Sequence, residues 1–149
     1  MAGSKVLRLL VALDSLYMAY GHAPFALIIG GFFRPGGPGS PFSMPPGGFG
    51  FFFMIGAYFL FATVIYFLGA IFVASGNLLK LSNVSLIILA VIDNILLVYT
   101  RQVPDNILFN RIIPWSSHWI HGVGTVQVLL GQTVLVILCA ILLYQSRRK

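Results

Sequence analysis

The residues most able to do chemistry are two aspartates inside long apolar stretches of the chain. Asp14 lies within the stretch 6–33, and Asp93 lies within the stretch 82–100. An ionised carboxylate in the hydrocarbon core of a membrane is costly, and no lysine or arginine is placed to neutralise either one. We therefore expect both aspartates to be protonated, to share hydrogen bonds with polar neighbours, or to face a partner protein.

Two interpretations of these aspartates stay open. Asn94 and Gln132 are polar residues in apolar surroundings that could bond to Asp14 and Asp93. Together the four side chains form either a proton or ion relay or a hydrogen-bonding cluster that holds helices together. Further candidates for such bonds are Ser15, Tyr17, Thr63, Tyr66 and Gln127.

The three histidines form a second set of candidates. His22 lies in the later part of the first apolar stretch, whereas His118 and His121 begin the last one. Imidazoles on facing helices at similar depth hold haem b in membrane helix bundles, and Gly21 and Gly122 would leave room for such a group. The histidines are therefore predicted either to bind haem b or to make hydrogen bonds at the membrane interface. A metal site is not expected, because no carboxylate or cysteine joins them.

Four apolar stretches must position these side chains. They cover residues 6–33, 50–74, 82–100 and 118–144. Each is about as long as the ~20 residues that a helix needs to cross a bilayer. The 58% hydrophobic and 8% charged residues exclude an ordinary soluble domain. The sequence predicts an all-α integral membrane protein, with four transmembrane helices in an up-down bundle that forms one domain over residues 1–149.

Basic residues indicate the orientation of this bundle. The side that carries both termini holds Lys5, Arg8, Lys80, Arg147, Arg148 and Lys149, against Arg34, Arg101 and Arg111 on the other. Because lysine and arginine favour cytoplasmic loops, we expect cytoplasmic termini and the plasma (inner) membrane as the location. The net charge of +6 is then a signal of topology rather than of nucleic-acid binding.

The first outer connection, residues 34–49, is rich in proline and glycine and is not expected to be helical. It is interpreted either as a flexible connector or as an ordered strap on a neighbouring subunit. Trp115 and Trp119 lie where the chain re-enters the membrane, as an interfacial aromatic belt predicts.

The length leaves no room for a separate soluble catalytic domain beside four spans, so an independent enzyme is not expected. The first hypothesis is an accessory or anchor subunit of a larger membrane-embedded complex, respiratory or otherwise energy-transducing, such as a non-catalytic subunit of an oxidoreductase. Its partners would be the lipid bilayer and other membrane subunits, contacted through the spans and the 34–49 loop. The alternative is a haem b-binding or quinone-facing electron-transfer subunit. The second alternative is a small proton- or ion-conducting transporter that uses Asp14 and Asp93.

Overall fold

A computed structural model describes residues 2–32, 48–102 and 125–147, with side chains described for 5–23, 26, 56–98 and 127–147. The described chain is helical. Its helices are α1 (Ala2–Phe32), α2 (Gly48–Ser75), α3 (Leu79–Gln102) and α4 (Thr125–Arg147). The prediction of an all-α protein is therefore confirmed for the part of the chain that is described.

Three of these helices are long and apolar enough to cross a membrane. The qualifying segments are Gly56–Ser75, Leu79–Val98 and Gln127–Arg147. They fall in α2, α3 and α4, where the sequence predicted the second, third and fourth spans. That α1 also crosses, and that both termini are cytoplasmic, stay predictions. Residues 34–47 of the outer loop and residues 118–124 of the predicted last span lie outside the described residues.

The turn between α2 and α3 is short. Gly76 adopts a φ of +80° and its amide donates to the Val73 carbonyl at 3.2 Å, while Leu78 has a φ of +46°. Glycine suits this backbone because it has no Cβ to clash in the left-handed region. A Cβ on Gly76 would also meet the guanidinium of Arg8. The beginning of α1 therefore lies beside the end of α2, so these two helices are antiparallel.

Each helix packs mainly against two others. The most extensive contact joins α1 to α2, followed by α3 with α4, α1 with α4, and α2 with α3. This leaves α1 diagonally opposite α3, and α2 diagonally opposite α4, as in an up-down four-helix bundle. The core is built from buried apolar side chains of all four helices, namely Val11, Met18, Ala19, Ala62, Tyr66, Val73, Leu86, Leu89, Ala90, Leu135, Cys139 and Leu142.

The outward faces of the bundle are also apolar. Large exposed side chains occur on every helix, for example Leu9, Phe61, Ile95 and Ile137. Helices that are hydrophobic on all sides are typical of membrane-spanning segments, since lipid tails take the place of water around them. These surfaces are suited to contact with a lipid bilayer.

Candidate functional site

The structure joins His22 of α1 to Asp93 of α3 across the diagonal of the bundle. The Nε2 atom of His22 lies 3.1 Å from Oδ2 of Asp93. The other ring nitrogen, Nδ1, lies 2.7 Å from the backbone carbonyl oxygen of Met18. Both side chains are buried. An imidazole from the predicted haem set therefore pairs with a carboxylate from the predicted relay set.

Three further side chains donate hydrogen bonds to the same carboxylate. The hydroxyl of Tyr58 donates to Oδ1 of Asp93. The hydroxyl of Tyr66 donates to Oδ2 at 2.5 Å, and Nε2 of Gln132 donates to Oδ2 at 3.1 Å. Because Tyr58 and Tyr66 belong to α2 and Gln132 belongs to α4, all four helices contribute to one group. We call these five residues, His22, Tyr58, Tyr66, Asp93 and Gln132, the polar centre.

The hydrogen-bond partners restrict the protonation states of the polar centre. A carbonyl oxygen only accepts, so Nδ1 of His22 must carry a proton to bond to Met18. Nε2 then either donates to an ionised Asp93 or accepts from a protonated one. Three other donors already point at the carboxyl oxygens, and this favours the ionised carboxylate. Either state leaves the pair neutral overall, which reduces the cost of burying it.

Aromatic rings enclose the imidazole. The ring centroid of His22 lies 5.2 Å from that of Tyr66 and 5.7 Å from that of Phe59. These contacts separate the pair from bulk solvent, and a low local dielectric strengthens its hydrogen bonds.

The second aspartate is separate from the polar centre. Asp14 lies eight residues before His22 on α1, about 12 Å along the helix axis. Its Oδ2 atom is buried and has no hydrogen-bond partner within the described part of the chain. Asp93 therefore shares hydrogen bonds with polar neighbours, whereas the role of Asp14 stays a prediction.

Of the other residues proposed from sequence, Gln132 belongs to the polar centre and Asn94 does not. The Oδ1 atom of Asn94 is buried without a partner among the described residues. His118 and His121 lie outside the described residues. Both ring nitrogens of His22 are engaged, so an axial bond to haem iron would require one of those contacts to break. The haem site stays a prediction.

Tyr58 is the member of the polar centre that sequence reasoning missed. It lies eight residues before Tyr66, so the two tyrosines share one face of α2 about two turns apart. Two hydroxyl groups at that spacing in an otherwise apolar helix indicate a polar contact inside the bundle, and this pattern could have been read from the sequence.

No family model, curated protein or solved structure matches this chain. The class of protein rests on the fold and on the polar centre alone. It is an α-helical bundle protein with three helices able to cross a membrane.

Proposed function

We propose that this chain is an accessory or anchor subunit of a larger membrane-embedded complex, and that the polar centre fixes its four helices in place. The observation that carries the proposal is that the hydrogen-bonding groups of the His22–Asp93 pair are all used inside the bundle. Both ring nitrogens of His22 and both carboxyl oxygens of Asp93 are used by partners within the bundle. A site closed in this way holds helices together and leaves no group of the pair free to bind a substrate.

The energetics of such a site suit a scaffold. Hydrogen bonds between helices in membranes are worth about 0.6–2 kcal/mol each, and removing one partner of a buried ion pair costs about 3–5 kcal/mol. Apolar contacts between helices that are hydrophobic on every side do not strongly select one rotation of each helix about its axis. The directional bonds to Asp93 supply that selection for all four helices.

The outer surface supports association with other proteins as well as with lipid. Exposed apolar side chains on all four helices can pack against further transmembrane helices. In this proposal a partner supplies the chemistry, and the present chain supplies a rigid surface in the membrane. A respiratory complex and contact through the 34–49 loop stay predictions.

Affinity purification of the tagged full chain from its native membranes in a mild detergent tests the proposal. We expect partner proteins in constant ratio to the chain and a native mass well above the 16.3 kDa of one copy. A particle that contains only this chain, as a monomer or as a homo-oligomer, would contradict a subunit role.

Two substitutions of Asp93 serve as matched variants in the same purification. Asp93→Asn keeps one oxygen that can accept from Tyr58, and its amide group can donate to Nε2 of a neutral His22, so we expect the partners to be retained. Asp93→Leu removes every acceptor and leaves His22 without its partner, so we expect the partners to be lost together with the stable bundle. Equal recovery of partners with both variants would show that association does not depend on the polar centre.

A further inference from the structure

The basic side chains that the structure describes all lie at one end of the bundle. Lys5 and Arg8 belong to the first two turns of α1, Lys80 lies in the first turn of α3, and Arg147 ends α4. In the up-down arrangement these three helix ends lie on the same side of the molecule. This end of the bundle therefore carries a concentrated positive charge.

The positive charge has no counter-charge nearby in the described part of the chain. The carboxylates among the described side chains are those of Asp14 and Asp93. Asp14 lies about 9 Å beyond Arg8 along α1, and Asp93 lies about 20 Å beyond Lys80 along α3, within the polar centre. Lys5 and Arg8 are three residues apart, so they are neighbours on one face of α1 and repel each other. An anion bound beside them would relieve this repulsion.

The guanidinium of Arg8 is held at the turn between α2 and α3. A Cβ on Gly76 would meet Nη1 of Arg8, so the lack of a side chain at Gly76 makes room for the guanidinium. Nε of Arg8 is buried and has no hydrogen-bond partner among the described residues. The side chain as a whole is only partly buried, so its outer end can be reached from outside the bundle. A guanidinium placed in this way suits a phosphate group, which it can bind at two points.

Lys80 brings a further positive charge to the same turn. It lies four residues after Gly76, and four residues span at most about 14 Å even when fully extended. Its side chain is exposed. The guanidinium of Arg8 and the ammonium of Lys80 can therefore approach one anionic group from two helices.

Large apolar side chains are exposed beside these basic residues in the sequence. Four of them are each more than half exposed, namely Val6, Leu9, Leu78 and Leu81. A free phosphate ion would satisfy the charges and leave these side chains in water. A phospholipid also brings acyl chains that cover them, and the burial of apolar surface is favourable. The combination of charge and apolar surface therefore favours a lipid over a free anion.

We propose that an anionic phospholipid binds at the α2–α3 turn, with its head-group phosphate held by Lys5, Arg8 and Lys80 and its acyl chains on the apolar side chains beside them. A zwitterionic lipid carries its own positive charge, which these residues repel, so the site prefers a head group of net negative charge. The inference goes beyond the subunit role and does not depend on it, because every residue of the site belongs to this chain.

Native mass spectrometry of the full chain in a mild detergent tests the proposal. The probes are dioleoylphosphatidylglycerol and dioleoylphosphatidylcholine, which have the same acyl chains and differ in net charge. We expect the first molecule of phosphatidylglycerol to bind at least about tenfold more tightly than phosphatidylcholine, since each basic residue near the head group favours the anionic lipid. Equal affinities would overturn the proposal and would favour an acidic segment of a partner protein as the counter-charge.

Arg8→Gln and Arg147→Gln are matched variants for this measurement. Each removes one positive charge from the same end of the bundle, but Arg147 lies on α4, diagonally opposite α2. We expect Arg8→Gln to lower the affinity for phosphatidylglycerol at least about tenfold, because it loses charged hydrogen bonds to the phosphate. Arg147→Gln should lower it at most about fivefold, the effect of one charge near an anionic surface. Equal losses would show that the charge attracts lipid without a site, and would overturn the proposal.

Lys80→Gln gives a second test that does not disturb the packing of α1 on the α2–α3 turn. Because Lys80 is exposed, its substitution should leave the fold intact. We expect a loss of affinity of at least about tenfold here too, from the charged hydrogen bonds that Lys80 donates to the phosphate. A loss no greater than that in Arg147→Gln would contradict the assignment of Lys80 to the site.

Inorganic phosphate distinguishes a lipid from a free anion as the ligand. We expect phosphate at the same concentration to leave bound phosphatidylglycerol in place, since it has no acyl chains to cover the exposed apolar side chains. Displacement of the lipid by phosphate at equal concentration would show that the site binds a free anion, and would overturn the proposal.

Discussion

The hydrogen bonds inside this bundle converge on the carboxylate of Asp93. It accepts hydrogen bonds from both tyrosines of the polar centre and from Gln132, in addition to its contact with His22. The two tyrosines differ in exposure. Tyr66 is completely buried, and Tyr58 is only partly buried. Loss of the Tyr66 hydroxyl therefore leaves a place that solvent cannot fill.

We expect Tyr66→Phe to lower the free energy of unfolding by about 1.5–3 kcal/mol, the range for a hydrogen bond to a charged group. Tyr17→Phe is the control, since Tyr17 is 38% exposed on the outside of α1. Unfolding by sodium dodecyl sulfate in mixed micelles measures both variants. Equal stabilities for the two would show that the Tyr66 hydroxyl contributes nothing to holding Asp93.

Which residues belong to the polar centre could be predicted from sequence better than which of them are in contact. Asp93, Gln132, Tyr66 and His22 stand out as polar residues in apolar stretches. The contact between His22 and Asp93 could not be predicted, because it joins diagonal helices and depends on how each is rotated about its axis. Helices that are apolar on all sides carry no pattern that specifies this rotation.

At the level of helices, close packing depends on glycines at particular positions. A Cβ on Gly69 of α2 would lie 2.6 Å from Cδ2 and 2.9 Å from Cγ of the buried Leu86 on α3. A Cβ on Gly21 of α1 would meet no other heavy atom within 4 Å. Gly69 therefore permits a close approach of two helices, as small residues do in membrane bundles, and Gly21 does not.

This difference predicts opposite effects of the same substitution. Gly21→Ala should stabilise the protein slightly, because alanine is favoured over glycine in a helix by about 1 kcal/mol. Gly69→Ala gains the same preference, but it overpacks the contact with Leu86 at a cost of about 1–3 kcal/mol. Thermal unfolding in detergent should rank Gly21→Ala above Gly69→Ala. The reverse order would contradict the close approach of α2 and α3.

The positions of the helices followed closely from hydropathy, and their ends did not. The prediction 50–74 agrees with Gly48–Ser75, and the connection between the predicted second and third spans is reduced to a few residues around Gly76. The third helix, Leu79–Gln102, extends beyond the predicted 82–100 at both ends. Helices continue past the hydrocarbon core until a backbone change stops them, and here that change is the left-handed conformation of Gly76 and Leu78.

For the whole molecule, an even number of spans predicts that both termini lie on the same side of the membrane, and the basic residues near them predict that this side is cytoplasmic. Single cysteines at Ser40 and Ser146, placed in a Cys139→Ala background, should react with an impermeant thiol reagent from opposite sides of the membrane. Ser146 is exposed near the end of α4, and the native Cys139 is buried. Labelling of both positions from one side would contradict the four-span topology.

A double-mutant cycle measures whether the contact between His22 and Asp93 holds the bundle together. The variants are His22→Gln, Asp93→Asn and the two combined, with the free energy of unfolding measured for each in mixed micelles. We predict that the double variant loses much less stability than the sum of the single ones, with a coupling free energy of about 2–3 kcal/mol. Losses that add to within about 0.5 kcal/mol would show that the two residues act independently and that their contact does not hold the bundle together.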